Sequence, residues 1–111
     1  LLCADGTVYG GCNIENAAFG PSCCAERTAF FKAVSEGKRE FSAIAIVGGP
    51  AGKEPEDFCP PCGVCRQVMM EFCDPERFRI VLGKGDLSFR EYTLKELLPL
   101  GFAGDGVERK E

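Results

Sequence analysis

Histidine and tryptophan are absent from this 111-residue chain. The lack of histidine removes whole classes of chemistry: a Ser–His–Asp triad, a Cys–His nucleophilic pair and every His-ligated metal site. Basic residues are also short in supply, with 13 Lys and Arg against 17 Asp and Glu, for a net charge of −4. Neutralising a polyanion needs clustered Lys and Arg, so no nucleic-acid partner is expected and the acidic balance is read as solubility. No apolar run approaches the ~20 residues that span a bilayer, so no membrane role is expected. Repeats, low-complexity tracts and linkers are missing too, and residues 1–111 are read as one domain with a single core.

Cysteine, by contrast, is abundant, with eight in the chain. An even count permits a secreted disulfide framework. The long apolar-periodic segments do not need such stapling, however, and the cysteines are clustered. Cys23 and Cys24 are adjacent, and Cys59, Cys62 and Cys65 fall within "CPPCGVCRQ". Reduced cysteines at a metal site in an intracellular, cytoplasmic protein are the better expectation.

Local patterning gives a coarse element order. "LLCADGTVYGGCNIEN" reads as a strand end, an Asp5-Gly6 turn and a second strand from about Thr7 to Ile14. Cys24 to Glu36 reads as a helix with Ala25, Ala29 and Ala33 every fourth residue, stopped by Gly37. "FSAIAIVGG" suits a central strand, and Gly49 to Pro61 reads as a loop. A second helix is expected from about Cys62 to Phe72, with Val64, Val68 and Phe72 on one face and Asp74-Pro75 ending it. "FRIVLG" and "SFREYT" read as strands and "LKELL" as a last short helix. The order β-β-α-β-α-β-β-α predicts an α/β layered domain, a mixed central sheet covered by helices on its faces.

Tetrahedral zinc takes four N or S donors, and a catalytic site keeps one position for water. Cys62 and Cys65 stand three apart on the opening turn of a helix, so their thiolates project to one side. Cys24 opens the other helix, and convergence of the two N-termini would gather three thiolates where both helix dipoles favour negative charge. Cys59 and Cys62 also form a C-x-x-C, but the two prolines between them impose an extended spacing of roughly 9 Å. Thiolates sharing a zinc lie only about 4 Å apart, so Cys62 with Cys65 is the better pair. Of the adjacent Cys23 and Cys24 only one can face a metal, and the C-A-E spacing favours Cys24. Glu26 would then sit at the same mouth. Asn13 and Glu15, two apart at a strand end, emerge on one face, where an amide and a carboxylate can bind vicinal hydroxyls.

"CAE" at Cys24 to Glu26 and "PCGVC" at Pro61 to Cys65 fit the zinc-deaminase pattern, with Cys in place of His. "GCNIENAAF", "CAERTAFFKAVSEG", "PCGVCRQ" and "ELLPLGF" together resemble the small homotetrameric cytidine deaminases over nearly the whole chain. The resemblance implies a hydrolase of pyrimidine salvage converting free cytidine or deoxycytidine to uridine or deoxyuridine plus ammonia. It implies one catalytic Zn2+ per chain on Cys24, Cys62 and Cys65, with water as fourth ligand and Glu26 as proton shuttle. It assigns Arg27 to the thiolates, Asn13 and Glu15 to the ribose, and Ala17, Phe19 and Phe102 to a neighbouring subunit's pocket. Phe19 stands where many relatives have Tyr. Relatives also carry an N-terminal helix and most of a first strand, roughly 25 residues by ordinary element and loop lengths, so the single domain 1–111 is expected to lack that part.

The same residues admit plainer readings. A structural zinc knot could recruit Cys23 or Cys59 as fourth ligand, but it leaves Glu26 unexplained. Asn13 and Glu15 could be turn polars, Arg27 a solvated helix charge, and Phe19 and Phe102 core aromatics. Cys3, Cys12, Cys23, Cys59 and Cys73 are read as non-ligands. Within the same chemistry the alternative is a deaminase of a cytosine-nucleoside antibiotic of the blasticidin type; a non-enzymatic zinc-stabilised module is the alternative from another class.

Overall fold

The computed structural model describes residues 1–104. Its elements are β1 (Leu2–Cys3), α1 (Ala25–Ser35), β2 (Phe41–Ile46), α2 (Gly63–Phe72), β3 (Arg79–Gly83), β4 (Phe89–Thr93) and α3 (Leu94–Leu97). They form one four-stranded sheet in the order β1-β2-β3-β4. β1 and β4 run antiparallel to their neighbours, and β2 and β3 are parallel. The expected mixed sheet with helical cover is therefore the fold.

Sequence chemistry explains the ends of the helices. Cys24 in extended conformation caps α1, Glu26 lies in its first turn and Lys32 in its last, complementing the helix dipole. Beyond Glu36, Gly37 takes φ +91°. Its N–H bonds the Val34 carbonyl and the Lys38 N–H bonds that of Ala33, a Schellman stop that only a residue free of Cβ strain makes cheaply. Cys62, also extended, caps α2, and unlike Cys24 its sulfur accepts a backbone N–H, that of Cys65. Thr93 and Glu96 exchange hydrogen bonds in a capping box that starts α3.

The core lies on one face of the sheet. Ile44 pairs with Ile80 and Ile46 with Leu82, and all four are buried with Phe30, Cys65, Met69, Phe78 and Leu94. Phe30 is at its centre, with ring centroids 5.1 Å from Phe41, 5.9 Å from Phe78 and 6.4 Å from Phe72. Such ring pairs add roughly 0.5–1.5 kcal/mol each beyond area burial. The alternate β2 positions, Ala45 and the following Val47, are exposed. Among the described residues, then, the helices cover one face rather than both.

Two expectations change in detail. The second strand from Thr7 to Ile14 does not form; Val8 makes a single bridge to Leu2 and Ile14 one to Cys23. Gly10 and Gly11 interrupt the strand pattern there, and glycine weakens a strand interior. The buried face of α2 also differs in part: Val68 and Phe72 pack against the core as expected. Cys65 and Met69 are buried, whereas Val64 is 58% exposed.

That difference gives a stability test. Met69→Ala should cost about 2–5 kcal/mol by opening a cavity, and Val64→Ala should stay within about 0.5 kcal/mol. Urea unfolding of the two variants checks this; equal costs would place Val64 in the core as well.

Candidate metal centre and its surroundings

Both helix N-termini end on cysteine. Cys24 and Cys62 Sγ are 3.8 Å apart, Cys62 and Cys65 Sγ are 3.4 Å apart, and all three sulfurs lie within 4.8 Å of one another. A tetrahedral centre with Zn–S bonds of about 2.3 Å needs sulfurs about 3.8 Å apart. Three soft donors at that spacing fit zinc, and they are able to hold it without moving far. The Cys65 backbone N–H points at Cys62 Sγ, 3.5 Å away, so a helix-terminal donor already faces the sulfur that would carry negative charge.

Electrostatics separate the thiols. Partial burial pushes the Cys62 thiol up, but hydrogen bonds from the Cys65 backbone and from the two other thiols outweigh it, and its pKa falls below the usual cysteine value. Burial pushes the Cys65 thiol well up, with the Cys62 sulfur adding to the rise and Arg27 opposing it. Arg27 Nη2 donates to Cys24 Sγ at 3.5 Å and to the Ser22 carbonyl at 3.5 Å. Hydrogen bonds to Cys24 and then Cys65 raise the pKa of its guanidinium further.

The other predicted residues are placed as follows. Glu26 is half-buried in the first turn of α1. It opens onto a cavity of about 180 Å³ shared with Leu1, Tyr9, Gly11, Ile46 and Val47. Asn13 is exposed, and its Oδ1 accepts the Ala25 N–H at 2.8 Å, tying it to the helix that carries Glu26. Glu15, Ala17 and Phe19 lie on the exposed loop between Ile14 and Cys23, with Phe19 89% exposed. Phe102 is 63% exposed, and its carbonyl accepts from Gln67 Nε2 at 3.0 Å. The fold thus gathers Cys24, Cys62, Cys65 and Arg27, with Glu26 in the first turn of the same helix and Asn13 hydrogen-bonded to that turn. It leaves Phe19 and Phe102 on the surface.

The spare cysteines are held elsewhere. Cys23 Sγ lies 3.8 Å from the Thr28 hydroxyl and 3.7 Å from the Cys24 carbonyl. Cys59 packs against Gly48, where an added Cβ would come within 2.9 Å of its Sγ. Neither belongs to the three-sulfur group. A larger cavity, about 610 Å³, lies between Met70–Pro75 and Ala103–Gly104 and contains none of the predicted site residues.

Sequence reasoning passed over Arg66 and Thr28. Arg66 Nε bonds the Pro61 carbonyl at 2.8 Å and Nη1 the Leu97 carbonyl at 2.7 Å, bracing the approach to Cys62 against α3. Thr28 Oγ1 bonds the Cys12 carbonyl at 3.0 Å. Position i+4 from Cys24 was the available signal for Thr28, since it shares a helix edge with that cysteine.

A family model described as the cytidine and deoxycytidylate deaminase zinc-binding region matches residues 1–81. The cytidine deaminase of Halalkalibacterium halodurans is 50% identical over 107 residues, which is 96% of this chain and 76% of that protein. The crystal structure of cytidine deaminase from Burkholderia pseudomallei superposes with a TM-score of 0.80 at 44% identity, covering 92% of this chain and 77% of that one. Blasticidin-S deaminase from Bacillus cereus is similar at a lower 30% identity over 100 residues, 87% of this chain and 69% of that protein.

Single cysteine substitutions test the centre. Cys62→Ala or Cys65→Ala should drop zinc content well below one ion per chain, and lower stability with it, because metal binding and folding are coupled. Cys59→Ala should keep its zinc. Metal analysis of the purified variants reads this directly, and zinc lost from Cys59→Ala would reassign the centre.

Proposed function

The chain belongs to the cytidine and deoxycytidylate deaminase family, and from that premise we propose how its residues divide the work. The activity is zinc-dependent hydrolytic deamination of cytidine, yielding uridine and ammonia; deoxycytidine is taken as a second substrate. The proposal concerns the residues, the assembly and the compartment. What supports it is the group of three thiols within 4.8 Å of one another, with Glu26 two residues after Cys24 in the first turn of α1.

Cys24, Cys62 and Cys65 hold one zinc per chain. When bound, zinc supplies a Lewis acid that lowers the pKa of water and so furnishes a nucleophile for C4 of the cytosine ring. Glu26 takes a proton from water as its oxygen bonds to C4 and delivers it to N3 of the base. It then takes the remaining proton of the new C4 hydroxyl and gives it to the amino group, which leaves as ammonia as the C4–N bond breaks and the C4 carbonyl forms. With no histidine in the chain, a carboxylate is the natural group for these transfers. Arg27 draws charge from the thiolates through its bond to Cys24. Asn13 and Glu15 bind the ribose hydroxyls.

We propose a homotetramer in which Ala17, Phe19 and Phe102 complete a neighbour's pocket. Two observations support it. The cavity at Glu26, about 180 Å³, is smaller than the 300–1,000 Å³ usual for ligand pockets. Phe19 and Phe102 are exposed aromatics with no role in the single-chain core. No helix among the described residues is long and apolar enough to cross a membrane. A cytoplasmic location is proposed from the free, clustered cysteines. The antibiotic-deaminase reading stays second, because that similarity is 30% identity against 50%.

Two measurements test the proposal. Glu26→Gln should keep one zinc per chain, stay folded and bind cytidine, yet lose turnover by about 10⁴-fold or more, at or above the top of the usual acid–base range. The loss should fall on kcat rather than on binding, since the missing interaction belongs to the transition state. Turnover within tenfold of wild type, with zinc intact, would remove Glu26 from the mechanism. Sedimentation at assay concentration should show tetramers carrying the activity; an active monomer would sink the shared pocket.

A further inference from the structure

Every residue from Gly10 to Pro21 is exposed. Burial therefore does little to hold this segment, although Asn13 and Glu15 lie within it. What fixes it is a set of contacts with the first two turns of α1. Gly11 lies flat on the helix: an added Cβ would collide with the Ala25 carbonyl and come within 2.9 Å of Ala29 N and 3.2 Å of Thr28 Cβ. The Thr28 hydroxyl donates to the Cys12 carbonyl at 3.0 Å. Asn13 Oδ1 accepts the Ala25 N–H at 2.8 Å. Ile14 and Cys23 then exchange two backbone bonds of 2.8 Å each, closing the loop.

Thr28 is the one side chain of α1 in this set. Its hydroxyl has a single proton and three acceptors in reach: the Cys12 carbonyl at 3.0 Å, the Cys24 carbonyl at 3.3 Å and Cys23 Sγ at 3.8 Å. The shortest, oxygen-directed bond takes it. The Cys12 carbonyl belongs to the peptide unit that joins Cys12 to Asn13, so this bond fixes the plane from which the Asn13 side chain springs. Asn13 Oδ1 is already committed to Ala25, so its amide N–H groups are what remain for a sugar oxygen. A small swing of the Cys12 peptide would misdirect those donors.

We propose that Thr28 is a positioning residue for sugar recognition: its bond to the Cys12 carbonyl registers Asn13 and Glu15 against the helix carrying Cys24 and Glu26. This rests on the reading above that Asn13 and Glu15 bind the ribose. Thr28 touches neither substrate nor metal, and it acts only through the Cys12 peptide. Losing it relaxes the grip on the sugar while leaving the chemical step to Glu26.

Thr28→Val keeps the side-chain shape and removes the hydroxyl; Thr28→Ser keeps the hydroxyl. The valine variant should raise KM for cytidine about threefold to tenfold, the scale of one hydrogen bond, with kcat within about twofold and zinc retained. Thr28→Ser should recover most of the loss. For a cytidine analogue lacking the 2′ and 3′ hydroxyls, the valine variant should shift binding less than about twofold. Should Thr28→Val fold poorly, Thr28→Ala carries the same measurement. Equal penalties for cytidine and the analogue, a fall in kcat matching the rise in KM, or a serine variant as impaired as valine each overturn the proposal. Asn13→Asp separates it from its premise, because the carboxylate still accepts the Ala25 N–H but has no donor for the sugar. An unchanged cytidine KM in Asn13→Asp overturns the ribose assignment and this inference together. A raised KM there, beside an unaffected Thr28→Val, overturns this inference alone.

Discussion

The site depends on the meeting of two helix N-termini. Each helix start leaves backbone N–H groups without intrahelical partners, and here the capping positions are filled by Cys24 and Cys62. The topology makes that meeting possible. α1 leads through a short connection into β2, α2 leads likewise into β3, and β2 and β3 are parallel. Two helices feeding parallel strands on one sheet face run the same way, so both N-termini arrive at the carboxyl ends of the strands. That edge is where open α/β sheets generally place their chemistry. A parallel β2–β3 pair with α2 as its crossover is thus the reason three sulfurs come within 4.8 Å.

Charge compensation follows from the donor set. A centre built from thiolates alone carries one more negative charge per ligand than a histidine site, and this chain has no histidine to substitute. Two helix dipoles and Arg27 are the available offsets. Arg27 is well matched to the task because its guanidinium stays charged and can reach both the Ser22 carbonyl and Cys24 Sγ. Glu26, next to it on α1, adds a further negative charge beside Cys65, one of the causes that raise that thiol's pKa. The neighbouring Glu26 and Arg27 therefore act in opposite electrostatic senses from one helical turn.

The Cys62–Cys65 pair was legible in the sequence because its geometry is local, whereas Cys24 joins it only through the fold and was picked out by the C-A-E pattern. Spacing on a helix start, plus the stiffness of Pro60-Pro61, decides between Cys59 and Cys65 before any tertiary information enters. The α2 face was legible in part: Val68 and Phe72 pack against the core as their spacing suggests, but the same stripe gives no sign that Val64 is exposed while Cys65 and Met69 carry the buried edge. The segment after Val8 was misjudged for a different reason. Its alternation suggests a strand, but Gly10 and Gly11 let the backbone leave the sheet and lie on α1 instead. Thr28 was passed over because its i+4 relation to Cys24 shows only a shared helix edge, and the carbonyl it bonds is known only once the crossing chain is placed.

The loop from Ile14 to Cys23 links the metal centre to the surface. Its own polar groups hold it in shape: Ser22 Oγ accepts the Asn16 N–H at 3.0 Å, and Asn16 Oδ1 accepts the Ala18 N–H at 2.9 Å. Those bonds keep an almost fully exposed phenylalanine, Phe19, at its tip. A loop braced in this way has already met the ordering entropy that docking requires, which favours contact with another surface. In the assembly proposed above, a neighbour would seat Phe19 as a preformed knob. The loop closes on Cys23, whose next residue is Cys24, and its other end runs into Asn13, bonded to the first turn of α1. Burying Phe19 in a partner would therefore restrain both ends of the loop, and with them the cap of α1 on which Cys24 and Glu26 are mounted.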